Sequence, residues 1–324
     1  MEFTFGTDPE FILSDEKGKL KSAIGVVPGD KNNKFECDGD LFFHDNVLAE
    51  CVVRPGSDPG ELVCNLGDSL RSLAKIVAPL KITNLAAGNF EEDEMRDEEA
   101  RKAGCAVEMC AYEMRTIPPG KIKKLFKKEN FRTAGGHVHL GTGLGKDHEK
   151  CLMLVRMLDL FLGVPMLVID DSPMTIERRK IYGRAGRYRQ PDHGIEYRTP
   201  GNFWISSPRI VCLFFEICRE VVKLTEERVY DDFWKVDHDT LNSDDFWNEC
   251  GDPSKCHECH GYDVKLLRDA FGMERSEMKS KTKKILDVVF RYLPKKIRNE
   301  VMSLEGSKFD IYEEWNLTSG RASS

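Results

Sequence analysis

The first third of the chain alternates apolar and polar residues with period two. Phe3, Phe5, Phe11 and Leu13 punctuate Phe3-Thr4-Phe5-Gly6-Thr7-Asp8-Pro9-Glu10-Phe11-Ile12-Leu13, which predicts a strand over residues 3–13. Asp15-Glu16-Lys17-Gly18 then reads as a turn into a second strand. Pro9 cannot donate a ladder hydrogen bond, so the strand is an edge or bulges there. Residues 26–34 read as loop, and residues 35–55 as two short strands around turns at Asp38-Gly39 and Asp45-Asn46. The period then lengthens. Leu62, Leu66, Leu70, Leu73, Ile76 and Val77 predict a helix over 58–78, capped by Ser57 or Asp58 with Pro59 near its first position. Residues 147–169 predict an amphipathic helix with Leu152, Val155, Leu158, Phe161 and Leu162 near one face, and 208–226 a buried one. Residues 263–304 read as helical with a basic face, and the last dozen residues as loose.

At 324 residues with 40% hydrophobic composition, the chain is read as a single domain with a mainly helical C-terminal part from 226. The net charge of -7 argues against a general nucleic-acid surface. No run reaches the roughly 18 consecutive apolar residues of a membrane span. The N-terminus shows no basic and apolar export pattern. Eleven cysteines are scattered, several in apolar segments, which suits reduced thiols in the cytoplasm. Residues 91–102 are a charge run, read as a solvated loop or helical turn; residues 117–129 are basic and read as a surface helix.

Three strands each carry a polar pair at i, i+2, and such residues share one face of a sheet. The pairs are Asp8/Glu10, His137/His139 and Glu196/Arg198. Gly135 and Gly136, just before His137, let the backbone approach something bulky or charged. If the three faces converge, carboxylates and imidazole line one pocket. Such hard and borderline ligands suit Mg²⁺ or Mn²⁺. Arg178, Arg179, Arg184, Arg187, Arg189 and Arg198 crowd residues 176–200. Divalent metal with convergent guanidinium groups suits a nucleoside triphosphate. No Gly-x-x-x-x-Gly-Lys-Ser/Thr loop is present, so the chain is not a P-loop enzyme. Tyr182-Gly183-Arg184-Ala185-Gly186-Arg187 reads as a loop that presents arginines.

Gly6-Thr7-Asp8-Pro9-Glu10-Phe11, Gly135-Gly136-His137-Val138-His139 and Ile195-Glu196-Tyr197-Arg198 resemble the signature strands of the glutamine synthetase and glutamate–cysteine ligase superfamily. Asp45-Asn46-Val47-Leu48-Ala49-Glu50 and the glycine-containing stretch 182–189 narrow the resemblance to the phage-associated carboxylate–amine ligases, the COOH–NH2 ligase type 2 family. The resemblance covers roughly residues 3–206. It implies an α+β fold: an antiparallel sheet curved into a half-barrel, helices on its outer face, and an ATP and Mg²⁺ (or Mn²⁺) site on its concave face. Carried over residue by residue, Glu10 and Glu50 hold a metal near the acceptor substrate, with Asp45, Asp38 or Glu36 as third ligand. Asp8, His137 and Glu196 hold a metal on the ATP phosphates, and His139 lies near the nucleotide. Arg189 and Arg198 grip the transferring phosphate, joined by Arg184.

The implied reaction joins a carboxylate substrate to an amine substrate through an acyl phosphate, with Glu50 as a candidate base for the amine. The partners are then two substrates rather than a membrane or a nucleic acid, in the host cytoplasm if the chain is phage-encoded; a homo-oligomer is left open. Competing readings are a guanidino-type phosphotransferase on the same kind of sheet and a non-catalytic phage accessory protein. Cys256-His257-Glu258-Cys259-His260 has the spacing of a haem-attachment motif, but no export pattern accompanies it. A small Zn²⁺ site from Cys250, Cys256, Cys259 and His257 or His260 is the alternative for that stretch.

Overall fold

A computed structural model describes residues 3–102, 108–117, 130–233 and 285–318. The basic stretch beyond 117 and the Cys/His-rich stretch at 250–260 lie outside the described residues. The strands of the first half are β1 (Thr4–Thr7), β2 (Glu10–Ser14), β3 (Leu20–Lys21), β4 (Phe35–Cys37), β5 (Asp40–Asp45), β6 (Leu48–Gly56), β7 (Lys81–Thr83) and β8 (Ala87–Asn89). The second half adds β9 (Glu108–Cys110), β10 (Arg115–Ile117), β11 (Phe131–Thr133), β12 (Val138–Gly141), β13 (Arg187–Arg189) and β14 (Gly194–Tyr197). Twelve of them form one sheet in the order β10-β9-β13-β14-β12-β1-β6-β2-β3, with β5 and β4 branching from β6 and β7 pairing β2. The pairings are antiparallel and the sheet is not closed. Strands β8 and β11 pair separately.

The predicted first strand is two strands. The chain breaks at Asp8-Pro9, where Pro9 has no amide hydrogen to continue the ladder. Both halves still run along β6, Thr7 opposite Val53 and Glu10 opposite Glu50. The 35–55 stretch is a three-strand meander rather than two strands. Asp38 and Gly39 turn with φ of 54° and 84°, and Asn46 turns with φ of 60°.

Several helices accompany the sheet among the described residues. Helix α1 (Pro59–Val77) starts as predicted, with the Asp58 carboxylate accepting from the amides of Gly60 and Glu61. Helix α2 (His148–Ile169) contains a π-helical turn at Asp159–Gly163. It is not amphipathic: Cys151–Leu158 are buried on every side. By length and composition α2 could cross a membrane, but 94% of its most apolar stretch is buried inside the fold. Its two buried charged residues are met internally. Arg156 donates to the Ala111 carbonyl at 2.9 and 3.2 Å, and Asp159 accepts from the Tyr197 hydroxyl at 2.6 Å. Helix α3 (Thr175–Ile181) leads to the arginine-rich loop, α4 (Pro208–Glu226) packs under β1, and α5 (Lys295–Leu304) follows Pro294. Phe5 stacks on Phe215 of α4 and meets Trp204 edge-on. The described end of the chain is docked, not loose. Trp315 is buried and donates to the Ile205 carbonyl at 2.7 Å, and Glu314 accepts from Ser207.

Candidate active site

The register of the central strands decides what faces what. Gly6, His139, Glu196 and Arg189 form one row across β1, β12, β14 and β13. The rows on either side, Phe5–Leu140–Ile195 and Thr7–Val138–Tyr197–Tyr188, have opposite parity and are buried in the core. His137 lies one residue before β12 and Arg198 one after β14, and both keep the alternation. His137 Nδ1 is 3.1 Å from Asp8 Oδ1 and 3.7 Å from Glu196 Oε1. His139 Nε2 is also 3.1 Å from Asp8 Oδ1. Arg189 lies 3.3 Å from Glu196, while Arg198 donates to both Glu196 and the Tyr182 hydroxyl. The three sequence pairs therefore meet, and both imidazoles converge on Asp8.

A second group sits beside the first. Glu10 pairs in register with Glu50, and Glu50 with Phe43, so Asp45 two residues on shares their face. Glu10, Asp45 and Glu50 each offer an oxygen within 4.8 Å of the others. Of the three candidates for the third ligand, Asp45 is the one brought here. Asp38 turns back to accept from Ser72 of α1 at 2.9 Å, and Glu36 is exposed. Lys31 Nζ lies 2.6 Å from Asp45 Oδ2. The Gly135 amide donates to Glu10 Oε2 at 2.6 Å and its carbonyl accepts from the Glu10 amide at 2.9 Å. A Cβ on Gly135 would stand 2.6 Å from His137 Nε2 and 3.2 Å from Glu10 Oε2. The two groups meet across this residue, where a side chain would force the His137 imidazole or the loop to shift.

Electrostatics differ between the groups. Burial raises the proton affinity of Asp8, but His137 and His139 together hold its carboxyl well below the usual range. Glu196 is likewise held down against burial by Arg198 and His137. Asp8 in turn raises His139 against its own burial. In the second group burial pushes Glu50 well above the carboxylate range, and Asp8, Glu10 and Asp45 push the same way. Glu10 is raised by burial and Asp45, against His137 and the Gly135 amide.

Both groups fit divalent cations. The Glu10–Asp45–Glu50 set is all oxygen, with Glu50 buried and Glu10 and Asp45 half-buried, and has more carboxylates than Lys31 alone balances; it suits a hard ion. In the other set, Asp8, His139 and Glu196 each offer a donor atom within 4.8 Å of the others, and His137 closes on the same carboxylates. His139 Nε2 is buried 3.1 Å from Asp8 Oδ1, on the carboxylate that His137 also faces.

Arg178, Arg179 and Arg187 are held by partners other than Glu196. Arg178 is buried and donates to the carbonyls of Ala134, Thr199 and Pro200, tying the Gly135 loop to the end of β14. Arg179 pairs with Asp170 at 3.4 Å, and Arg187 with Glu108 at 3.4 Å. Arg184 is exposed and donates to the Lys180 carbonyl at 2.6 Å. Arg189 and Arg198 alone of the six contact Glu196 among the described contacts.

Three residues escaped the sequence reading. Tyr182 is buried, its hydroxyl 3.2 Å from His137 Nε2 and bonded to Arg198. Glu108 is buried 3.5 Å from Arg198 Nε. A lone acid in Ala106-Val107-Glu108-Met109-Cys110 was its only signal. Lys31, in a polar turn, carried no signal.

Residues 111–239 match the family described as phage phiEco32-like COOH.NH2 ligase-type 2, the family that the motifs resemble. The matched segment contains β12, β13 and β14 with His137, His139, Arg189, Glu196 and Arg198. The family's description names a ligase of carboxyl and amine groups. No curated protein matches the chain.

Proposed function

We propose that this protein is an ATP- and Mg²⁺-dependent carboxylate–amine ligase that forms an amide or isopeptide bond through an acyl phosphate. The observation that supports it most is the pair of adjoining ligand groups on one sheet face, one all-oxygen and one of mixed oxygen and imidazole ligands flanked by Arg189 and Arg198. The reading carries with it a glutamine synthetase-like half-barrel whose ligand-bearing face is concave, and action on two substrates in the cytoplasm.

Glu10, Asp45 and Glu50 would hold one cation on the acceptor side. Asp8, Glu196, His137 and His139 would hold another on the nucleotide side. Bound there, divalent cations supply charge neutralisation on phosphate oxygens. The chain's own residues do the rest. Arg189, 31% exposed at its side chain, reaches toward solvent and is placed to fork onto the transferring phosphate. Arg198 is buried; it fixes Glu196 and, through Tyr182, the imidazole of His137. The substrate carboxylate oxygen attacks the γ-phosphorus as the bond to the β-phosphate oxygen breaks and ADP leaves. The amine nitrogen then attacks the acyl carbon, phosphate departs, and Glu50 is the candidate group to take the proton of the amine.

The test is incubation with ATP, Mg²⁺ and pools of amino acids, polyamines and cell-wall peptides. The expected result is ADP and phosphate released only when both an acid and an amine are present, with a product weighing their sum less water. Glu196→Gln should be silent. A phosphorylated acceptor without an amide would instead make the protein a phosphotransferase. No turnover of any pool, with ATP unbound, would leave the accessory-protein reading.

A further inference from the structure

The turn that carries Lys31 is built with more care than a surface loop needs. The Asp30 carboxylate accepts from the amides of Asn32 (2.6 Å) and Asn33 (3.0 Å), and the Asp30 amide donates to the Asn33 carbonyl at 3.0 Å. Gly29, with φ of 84°, bridges to Lys34, and a Cβ there would fall 2.6 Å from the Asn33 carbonyl oxygen. The Gly29 carbonyl accepts from the amide of His44, which pins the turn to β5 one residue before Asp45. A rigid turn thus delivers one ammonium to the acidic group, 2.6 Å from Asp45. Lys34, from the same turn, instead lies over the Phe43 ring at 4.7 Å.

We infer that Lys31 is an exchangeable counter-ion of the Glu10–Asp45–Glu50 group: its ammonium neutralises the site in the metal-free protein and is displaced when a divalent cation enters. The inference rests on the proposed cation site at these three carboxylates. One oxygen of Asp45 serves both roles, and an ammonium and a divalent ion repel each other at that range. Lys31 is on a side chain about half exposed, so it has room to swing away. The consequence is a site that stays folded without metal and opens only to a cation able to outcompete an ammonium.

Mn²⁺ and Mg²⁺ binding to the full chain, measured by calorimetry, tests this without any substrate. Lys31→Met should bind the divalent ion about tenfold tighter than wild type, while Lys31→Arg stays near wild type. Lys34→Met should change the affinity by less than about threefold. In a chelator Lys31→Met should melt below wild type, and added Mn²⁺ should raise its midpoint by more than it raises that of wild type. Unchanged or weaker metal binding in Lys31→Met, with an unchanged midpoint in chelator, would overturn the inference. Glu10→Gln separates that from the failure of the site itself. If wild type binds metal and Glu10→Gln does not, the site stands whatever Lys31 does. If wild type binds none, both the site and the counter-ion role fall.

Discussion

Glu10 and Glu50 stand directly opposite one another on antiparallel strands, two carboxylates in one register position with Asp45 closing the triangle. Like charges in that position cost stability. Burial makes the cost larger, because water no longer screens them. Glu50→Gln should therefore stabilise the protein in a chelator by roughly 1–3 kcal/mol and abolish the gain that Mg²⁺ gives wild type. Thermal melts with and without Mg²⁺ check it. A variant less stable than wild type in chelator would mean the glutamates are bound by partners other than a cation.

Arg189 and Arg198 should part company when mutated. Arg198 is buried between Glu196, Tyr182 and Glu108, so Arg198→Ala leaves two buried acids short of a partner. It should lose about 3–5 kcal/mol of stability. Arg189 is partly exposed, and Arg189→Ala should stay within about 1 kcal/mol of wild type in stability. Its turnover should nevertheless fall on the order of a hundredfold, with Arg189→Lys nearly as poor, because an ammonium lacks the fork. Denaturant melts and steady-state rates on both variants decide it; an Arg189→Lys enzyme of normal turnover would remove that residue from phosphate transfer.

Much of this site was readable because alternation holds through β12 and β14, while Asp8 and Glu10 flank the break at Pro9 and reach the site from two strands. Asp8/Glu10, His137/His139 and Glu196/Arg198 announced a shared face by spacing alone, and the register brings them together. What spacing cannot carry is the identity of partners from distant turns. Lys31 reaches Asp45 through a turn whose composition looks like any solvated loop. The arginines show the opposite difficulty. Six in one stretch suggest one anion site, yet Arg178 is consumed by three backbone carbonyls and Arg179 by Asp170. Helix α2 misled for a related reason. Arg156 and Asp159 break its apolar surface and imitate a wet face, but each is met by a partner in the interior.

Asp159 sets a pH dependence away from the site. Burial pushes its carboxyl up to about 7, against hydrogen bonds from Tyr197 and Thr199. The folded state then holds a proton that the unfolded chain has already released. Stability should fall as pH rises from about 4 to about 7, by on the order of 2–4 kcal/mol, and level off above. Asp159→Asn should flatten that fall, so that it is the more stable protein at about pH 8 and has no advantage at about pH 4. Denaturant melts across the range would show the same slope in both proteins if Asp159 were ionised throughout.

Gly135→Ala should strike both ligand groups at once. Its methyl would stand 2.6 Å from His137 Nε2 and 3.2 Å from Glu10 Oε2. The imidazole must move or the loop must shift, at a cost of about 1–3 kcal/mol. Metal affinity should drop at the same time, which calorimetry would register; full affinity would show that the glycine is not needed for the close approach.

The central claim is that a substrate carboxylate attacks ATP before the amine attacks the acyl carbon. Once the acid is identified, its carboxylate can be labelled with heavy oxygen and the phosphate released during the reaction weighed. The account predicts one heavy oxygen atom per phosphate, with ADP as the other product and Glu196→Gln releasing none. Unlabelled phosphate, or AMP with pyrophosphate, would contradict it.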